Sequence, residues 1–110
     1  MLFVTVGEYG IGYEINKEPY FAKKMKHKTV IGDYYILSNK RSEFLYKAIK
    51  QTEGYSLRKV HMIEIFNRYK SEEKRLTHQI KIRYKTIIRS PLLEHKEYTM
   101  LEFARRHDFD

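Results

Sequence analysis

Five histidines, His27, His61, His78, His95 and His107, are the first residues to test for metal ligation or proton transfer. No two stand at H-x-H or H-x-x-x-H spacing, and none belongs to an acid-rich cluster, so a metal site is not expected. Glu72-Glu73 could serve as a general acid/base pair, but adjacent carboxylates in a charged segment read more simply as solvated. Gly7, Gly10 and Gly12 form G-x-x-G-x-G, yet no helix follows to present amide groups to a phosphate. That pattern reads as a flexible hairpin turn. Serine and histidine occur without a nucleophile-elbow pattern. Cysteine is absent, which excludes disulfides, thiolate metal sites and thiol catalysis, and fits a reducing compartment. The expected function is therefore not enzymatic, with no cofactor, metal or small-molecule substrate.

The chemistry that remains is electrostatic. From Lys81 to Pro91 the chain reads KIRYKTIIRSP, with cations alternating with aliphatic and aromatic residues before Arg-Ser-Pro. The formal net charge is +8, and it is unevenly spread. Residues 58–89 carry ten Lys/Arg against Glu64, Glu72 and Glu73, a local net of +7, whereas residues 90–110 have a net of −2. Nearly all the excess thus sits in one contiguous segment, the usual footprint of a polyanion-binding surface. The plainer alternative is a solvated strand that happens to be basic.

At 110 residues and 42% hydrophobic content the chain suits one domain with a modest core. No segment approaches the ~20 apolar residues of a membrane span, so no membrane partner is expected. The N-terminus resembles neither a signal nor a transit peptide. The expectation is a protein that acts where it is made, and the Lys/Ile/Tyr/Phe bias suggests an AT-rich genome.

These residues must be positioned by a small set of elements. LFVTV (2–6) and IGYEI (11–15) read as a hairpin about a Gly-containing turn. Lys23 to Lys28 is a basic connector. Thr29 to Leu37 is a second β-rich run, in which Gly32-Asp33 is a bulge or turn. Ser38 or Asn39 can cap a helix with the stripe Phe44, Leu45, Ala48 and Ile49, ended by Gly54. Residues 58–69 fit both a strand face and a helix stripe, and their Val, Ile, Phe and Tyr content favours a strand. A charged tip, residues 70–75, then joins this strand to a long one over 76–89, making an extended basic hairpin. Pro91 ends the strand. Thr99-Met-Leu-Glu102 matches a capping box that opens a second helix ending near His107. The predicted fold is α+β; without the first hairpin its order is βαββα, a split β-α-β lacking its last strand.

This arrangement resembles the small-subunit ribosomal protein ten family. Arg89-Ser90-Pro91 matches that family's RSP, Lys85 to Ile88 stand where its YTVL stands, and Lys96 matches a turn lysine. Leu101-Glu102-Phe103 match its helix triplet, and Arg105, Arg106 and His107 its basic tail. Upstream, residues 29–54 follow its strand-then-helix pattern, so the likeness covers about residues 28–107. Departures are Leu92 in place of the family's histidine, a longer segment before the basic strand, a missing final strand and an added N-terminal extension. The resemblance implies a ferredoxin-like core over 28–110, with residues 1–27 as a β-hairpin extension, all within a single domain 1–110. It implies a structural protein of the small ribosomal subunit that supports translation by binding 3′-domain rRNA in the subunit head, beside neighbouring head proteins. The RNA-binding residues would be Arg58, Lys59, Arg68, Lys70, Lys74 and Arg75 around the hairpin tip, then Lys81, Arg83, Lys85, Arg89 and Ser90 along the strand. The divergence and composition suggest a mitochondrial, organelle-encoded member, or otherwise a bacterial-type cytoplasm; bacterial members also act in antitermination. The competing class is a small phage or mobile-element protein that binds a host factor or nucleic acid as an inhibitor or regulator. A free DNA-binding regulator is a third reading, opposed by the lack of any expected helix with a basic face.

Overall fold

A computed structural model describes residues 1–108 of the chain. Six strands come first: β1 (Leu2–Val6), β2 (Glu8–Ile15), β3 (Glu18–Lys26), β4 (Thr29–Ile31), β5 (Leu45–Ala48) and β6 (Glu53–Ser56). A short helix, α1 (Asp33–Ser38), lies between β4 and β5. Then come α2 (Lys59–Arg68), α3 (Lys70–Arg83), a π-helical segment (Tyr84–Arg89) and α4 (Ser90–Asp108). The fold is α+β, with two three-stranded antiparallel sheets in the orders β4-β1-β6 and β3-β2-β5.

β1 and β2 are strands, as their composition predicts, but they do not pair with each other. Gly7, at φ 120°, turns the chain from the middle of one sheet to the middle of the other. In β2 the side chains of Tyr9, Ile11 and Tyr13 face the core, and Gly10 and Gly12, also buried, fall on the opposite face of the strand. Val4, Tyr9, Ile11, Tyr13, Phe44, Tyr84 and Leu92 form the core. Residues 1–27, set apart in the sequence as an extension, thus supply the central strands and four core side chains. The buried phenols are hydrogen-bonded, Tyr9 to Thr29 and Tyr13 to His95 and Thr99, so a core rich in tyrosine leaves these hydroxyls partnered.

Several elements differ from expectation. The basic connector is the second half of β3. Gly32, at φ 87°, ends β4 and is the N-cap of α1, so 29–37 is a short strand followed by a helix. The helix expected from Asn39 does not form: Asn39, at φ 53°, closes α1, and residues 45–48 pair with β2. Gly54 is no helix terminus; a Cβ there would press on the Phe3 carbonyl across the β1–β6 pair.

The largest correction concerns 58–89. The basic hairpin is absent, and these residues are helical. The order among the described residues is therefore four strands, a helix, two strands and a helical C-terminal part, rather than hairpin, strand, helix, strand, strand, helix. Two periodicities competed in this segment. Lys81 to Lys85 alternates by twos, but Leu76, Ile80, Tyr84, Ile88 and Leu92 recur by fours. The fourfold ladder is the one that faces inward: Tyr84 and Leu92 are buried, Ile88 packs on the core, and Leu76 and Ile80 line an apolar cavity. Neither Pro91 nor Thr99 bounds an element. Both lie inside α4, and Thr99 Oγ1 donates to the His95 carbonyl and meets the Tyr13 hydroxyl.

The π segment explains how a proline is tolerated here. Proline lacks an amide proton and its ring crowds the carbonyl four residues back. Across 84–89 the turn is wider, and the Ser90 amide donates to Lys85, five residues back, just before Pro91. The wider turn also cancels a drift. In an α-helix each four-residue step rotates by ~40°, which would carry Leu92 away from the line set by Ile80 and Tyr84. Together α3, the π segment and α4 make a rod of ~58 Å at ~1.5 Å per residue, matching the 60 Å long axis of the molecule.

Candidate nucleic-acid interface

The ladder that faces the core leaves another flank of the rod to solvent. Lys70, Lys74, Lys81, Lys85 and Arg89 fall on it at spacings of four and seven. His78 lies beside them, and Lys74, His78 and Lys81 line one surface hollow. Lys81 also lines the neighbouring cleft of about 580 Å³, together with Lys40, Lys85, Arg89, Tyr34, Tyr84 and Glu43. The same lysine opening onto both hollows shows that these cations run along one flank.

The cleft is built on a closed hydrogen-bond circuit. The Glu43 amide donates to the Tyr35 hydroxyl (3.3 Å), Tyr35 donates to Tyr84 (2.7 Å), and Tyr84 donates to Glu43 Oε1 (3.0 Å). Arg89 Nε donates to both Glu43 carboxylate oxygens at 3.3 and 3.4 Å. The Tyr34 ring stacks flat on Tyr84, 3.9 Å between centroids. Burial pushes the Tyr84 phenol well above the ordinary tyrosine range, and the hydrogen bond that it donates to Glu43 and the Glu43 charge add to this. Tyr84 therefore holds its proton and acts as a fixed donor. It is a wall of the site rather than an acid/base group.

Lys40, Lys74, Lys81 and Lys85 make no ion pair and no side-chain hydrogen bond among the described residues, so their charges are available. The other expected residues fall elsewhere. Arg83 is ion-paired with the buried Asp33 and braces α3 against α1. Arg75 pairs with Glu72 on its own helix. Arg58 is the N-cap of α2, Lys59 donates to Asn39 at 2.7 Å, and Arg68 ends α2. Ser90 opens α4 on the exposed surface. Lys40 was missed, because Lys40-Arg41 was read as the first turn of a helix. Its cue was Asn39, a residue that takes the left-handed conformation readily and so can end a helix as well as cap one.

No family model, curated protein or solved structure matches the chain. The site thus stands on its own geometry. Among the described residues no three His, Asp or Glu side chains gather as a metal-binding group, and no helix is long and apolar enough to cross a membrane. The objection to a helix-borne nucleic-acid reader, that no helix has a basic face, no longer applies to α3.

Proposed function

We propose that this chain binds nucleic acid by its phosphate backbone, through the basic flank of α3 and the π segment, and acts architecturally without turnover. The observation that carries the reading is the cleft where Lys40, Lys81, Lys85 and Arg89 converge against a single carboxylate, Glu43. Cations at four-residue steps along a helix lie ~6 Å apart, a spacing that lets successive lysines meet successive phosphates of one strand. Such contacts fix position rather than read sequence.

RNA in the small ribosomal subunit head is the narrower form of this proposal. It rests on the likeness at Arg89-Ser90-Pro91 and Leu101-Glu102-Phe103. The carrier would be a helical rod instead of the ferredoxin-like split β-α-β with its strand hairpin.

Two experiments separate the broad form from the narrow one. Titrating isotope-labelled protein with a short RNA duplex should move amide resonances at residues 70–89 and at Lys40. Shifts confined to other segments refute the flank as the interface. Sedimentation of a native lysate should carry the chain with small subunits if the ribosomal placement holds, and leave it at the top of the gradient if it does not.

A further inference from the structure

The second sheet has two faces, and only one is covered. Its inner face, carrying Tyr9, Ile11 and Tyr13, packs in the core, and α4 seats there through His95 and Thr99 on Tyr13. On the opposite face the register sets Lys24 and Lys47 on either side of Gly10, and Phe21 and Leu45 on either side of Gly12. A Cβ at Gly10 would lie 3.3 Å from Phe21 Cβ and 3.6 Å from Ile49 Cδ1, so both side chains lean across the glycine. Gly12 sits at the bulge between β2 and β3, where a Cβ would run into the Tyr20 carbonyl. The result is a shallow apolar floor, with Phe21 38%, Leu45 37% and Ile49 46% exposed.

Lysines surround this floor. Lys24 and Lys26 stand along β3, Lys47 on β5 and Lys50 just beyond it. The opposing carboxylates on this face are Glu8, which pairs with Lys50 at 3.6 Å, and Glu14 at the far end of β2. Lys47 Nζ lies over the Phe21 ring, 5.9 Å from its centroid.

We propose that this face is a second nucleic-acid site, specific for single strands, in which a base stacks on Phe21 and the flanking phosphates meet Lys24, Lys26 and Lys47. The chemistry favours a polyanion that also carries flat apolar rings: a ring platform inside a lysine border suits a nucleotide strand better than an acidic peptide. At an exposed site a stacked base gains more than the cation–π contact it replaces. A base can therefore displace Lys47 from the ring, and the freed ammonium is placed for the adjacent phosphate. The site is separate from the α3 flank and lies on the other side of the sheet from α4, so it does not depend on the function proposed above.

The test is fluorescence anisotropy with a labelled oligouridylate octamer and, separately, a labelled RNA duplex, for wild type, Phe21→Ala, Phe21→Tyr, Lys47→Gln and the pair Lys81→Gln/Lys85→Gln. Circular dichroism melts establish that each variant is folded. Phe21→Ala should weaken octamer binding about 5- to 100-fold and leave duplex binding unchanged, while Phe21→Tyr, which keeps the ring, should bind as wild type. Lys47→Gln should weaken octamer binding less than Phe21→Ala. The site is refuted if folded Phe21→Ala binds the octamer as wild type, or if octamer binding is lost only in the Lys81/Lys85 variant. It is equally refuted if the face proves to join two copies of the chain, seen as a dimer in sedimentation equilibrium that Phe21→Ala dissolves. Loss of duplex binding in the Lys81/Lys85 variant alone bears on the α3 flank and not on this face.

Discussion

Neutralising Lys81 and Lys85 together should change not only how tightly the protein binds a duplex but how steeply that binding depends on salt. Four unpaired lysines, Lys40, Lys74, Lys81 and Lys85, line the two hollows of the α3 flank. If each meets one phosphate, about four counterions are released, and the slope of log K against log salt for a duplex is roughly −3.6. Raising salt from ~50 to ~200 mM then costs about 150-fold in affinity. Lys81→Gln/Lys85→Gln leaves about two contacts, a slope near −1.8 and a loss of about 12-fold over the same range. Glutamine keeps the helix propensity and much of the side-chain length, so the rod is preserved. The assay is anisotropy of a labelled duplex at four or five salt concentrations, with Lys17→Gln, in the turn between β2 and β3, as a control that removes a lysine charge away from the flank. A slope that stays near the wild-type value in the double variant refutes the phosphate assignment of these two lysines. A slope that falls equally in Lys17→Gln refutes any localisation of binding to the flank.

Stability offers further tests. Leu92 is 1% exposed and Leu101 70%, so Leu92→Ala should cost about 3–5 kcal/mol and lower Tm by ~10–30 °C, whereas Leu101→Ala should stay within ~0.5 kcal/mol; thermal melts by circular dichroism compare them. Gly54→Ala should destabilise by ~2 kcal/mol or more, because the new Cβ forces β6 away from the Phe3 carbonyl, and urea titration measures it. Tyr9, Tyr46 and Tyr84 have phenol pKa values raised chiefly by burial. A raised phenol pKa means the folded state holds protons that the unfolded chain releases near pH ~10. Stability should therefore be insensitive to these groups below ~10 and fall as pH rises above it. Tyr84→Phe should make that alkaline decline shallower, read from denaturant midpoints at a series of pH values.

The first half of the fold was partly legible: 2–6 and 11–15 read as strands from their β-rich composition, but Gly10 and Gly12, read with Gly7 as a flexible turn, lie inside β2 and pair with β3 and β5. What the sequence could not reveal was pairing. Two adjacent strands with a glycine between them look like a hairpin, and only the tertiary structure sends them to different sheets. Residues 44–49 failed for a different reason. Phe44, Leu45, Ala48 and Ile49 satisfy a helical stripe as well as a strand edge, and pairing with β2 decided the matter. In 76–89 the alternation around Arg83 masked the fourfold recurrence of Ile80, Tyr84 and Ile88, which extends beyond Pro91 to Leu92. The proline was read as a stop, when the wider turn before it removes the clash that makes a proline break a helix. The basic character of 70–89 was legible, but its carrier was not. Arg83 and Lys85 share one face of a strand, yet on the helix one is bound to Asp33 and the other lines the cleft.

The π segment also sets what the gene can tolerate. A π turn is an α-helix that holds one extra residue, so the helix on either side keeps its facing. One residue lost between Tyr84 and Arg89 can therefore be absorbed by a return to α geometry: Leu92 would then stand seven steps of ~100° from Tyr84, within ~20° of the same side, although Pro91 would meet the carbonyl four residues back. One residue lost between Leu93 and Tyr98, in plain α-helix, has no such slack and would turn Thr99 by ~100° away from Tyr13. Frame-preserving single-codon deletions across residues 84–89 should therefore be better tolerated than those across residues 93–98.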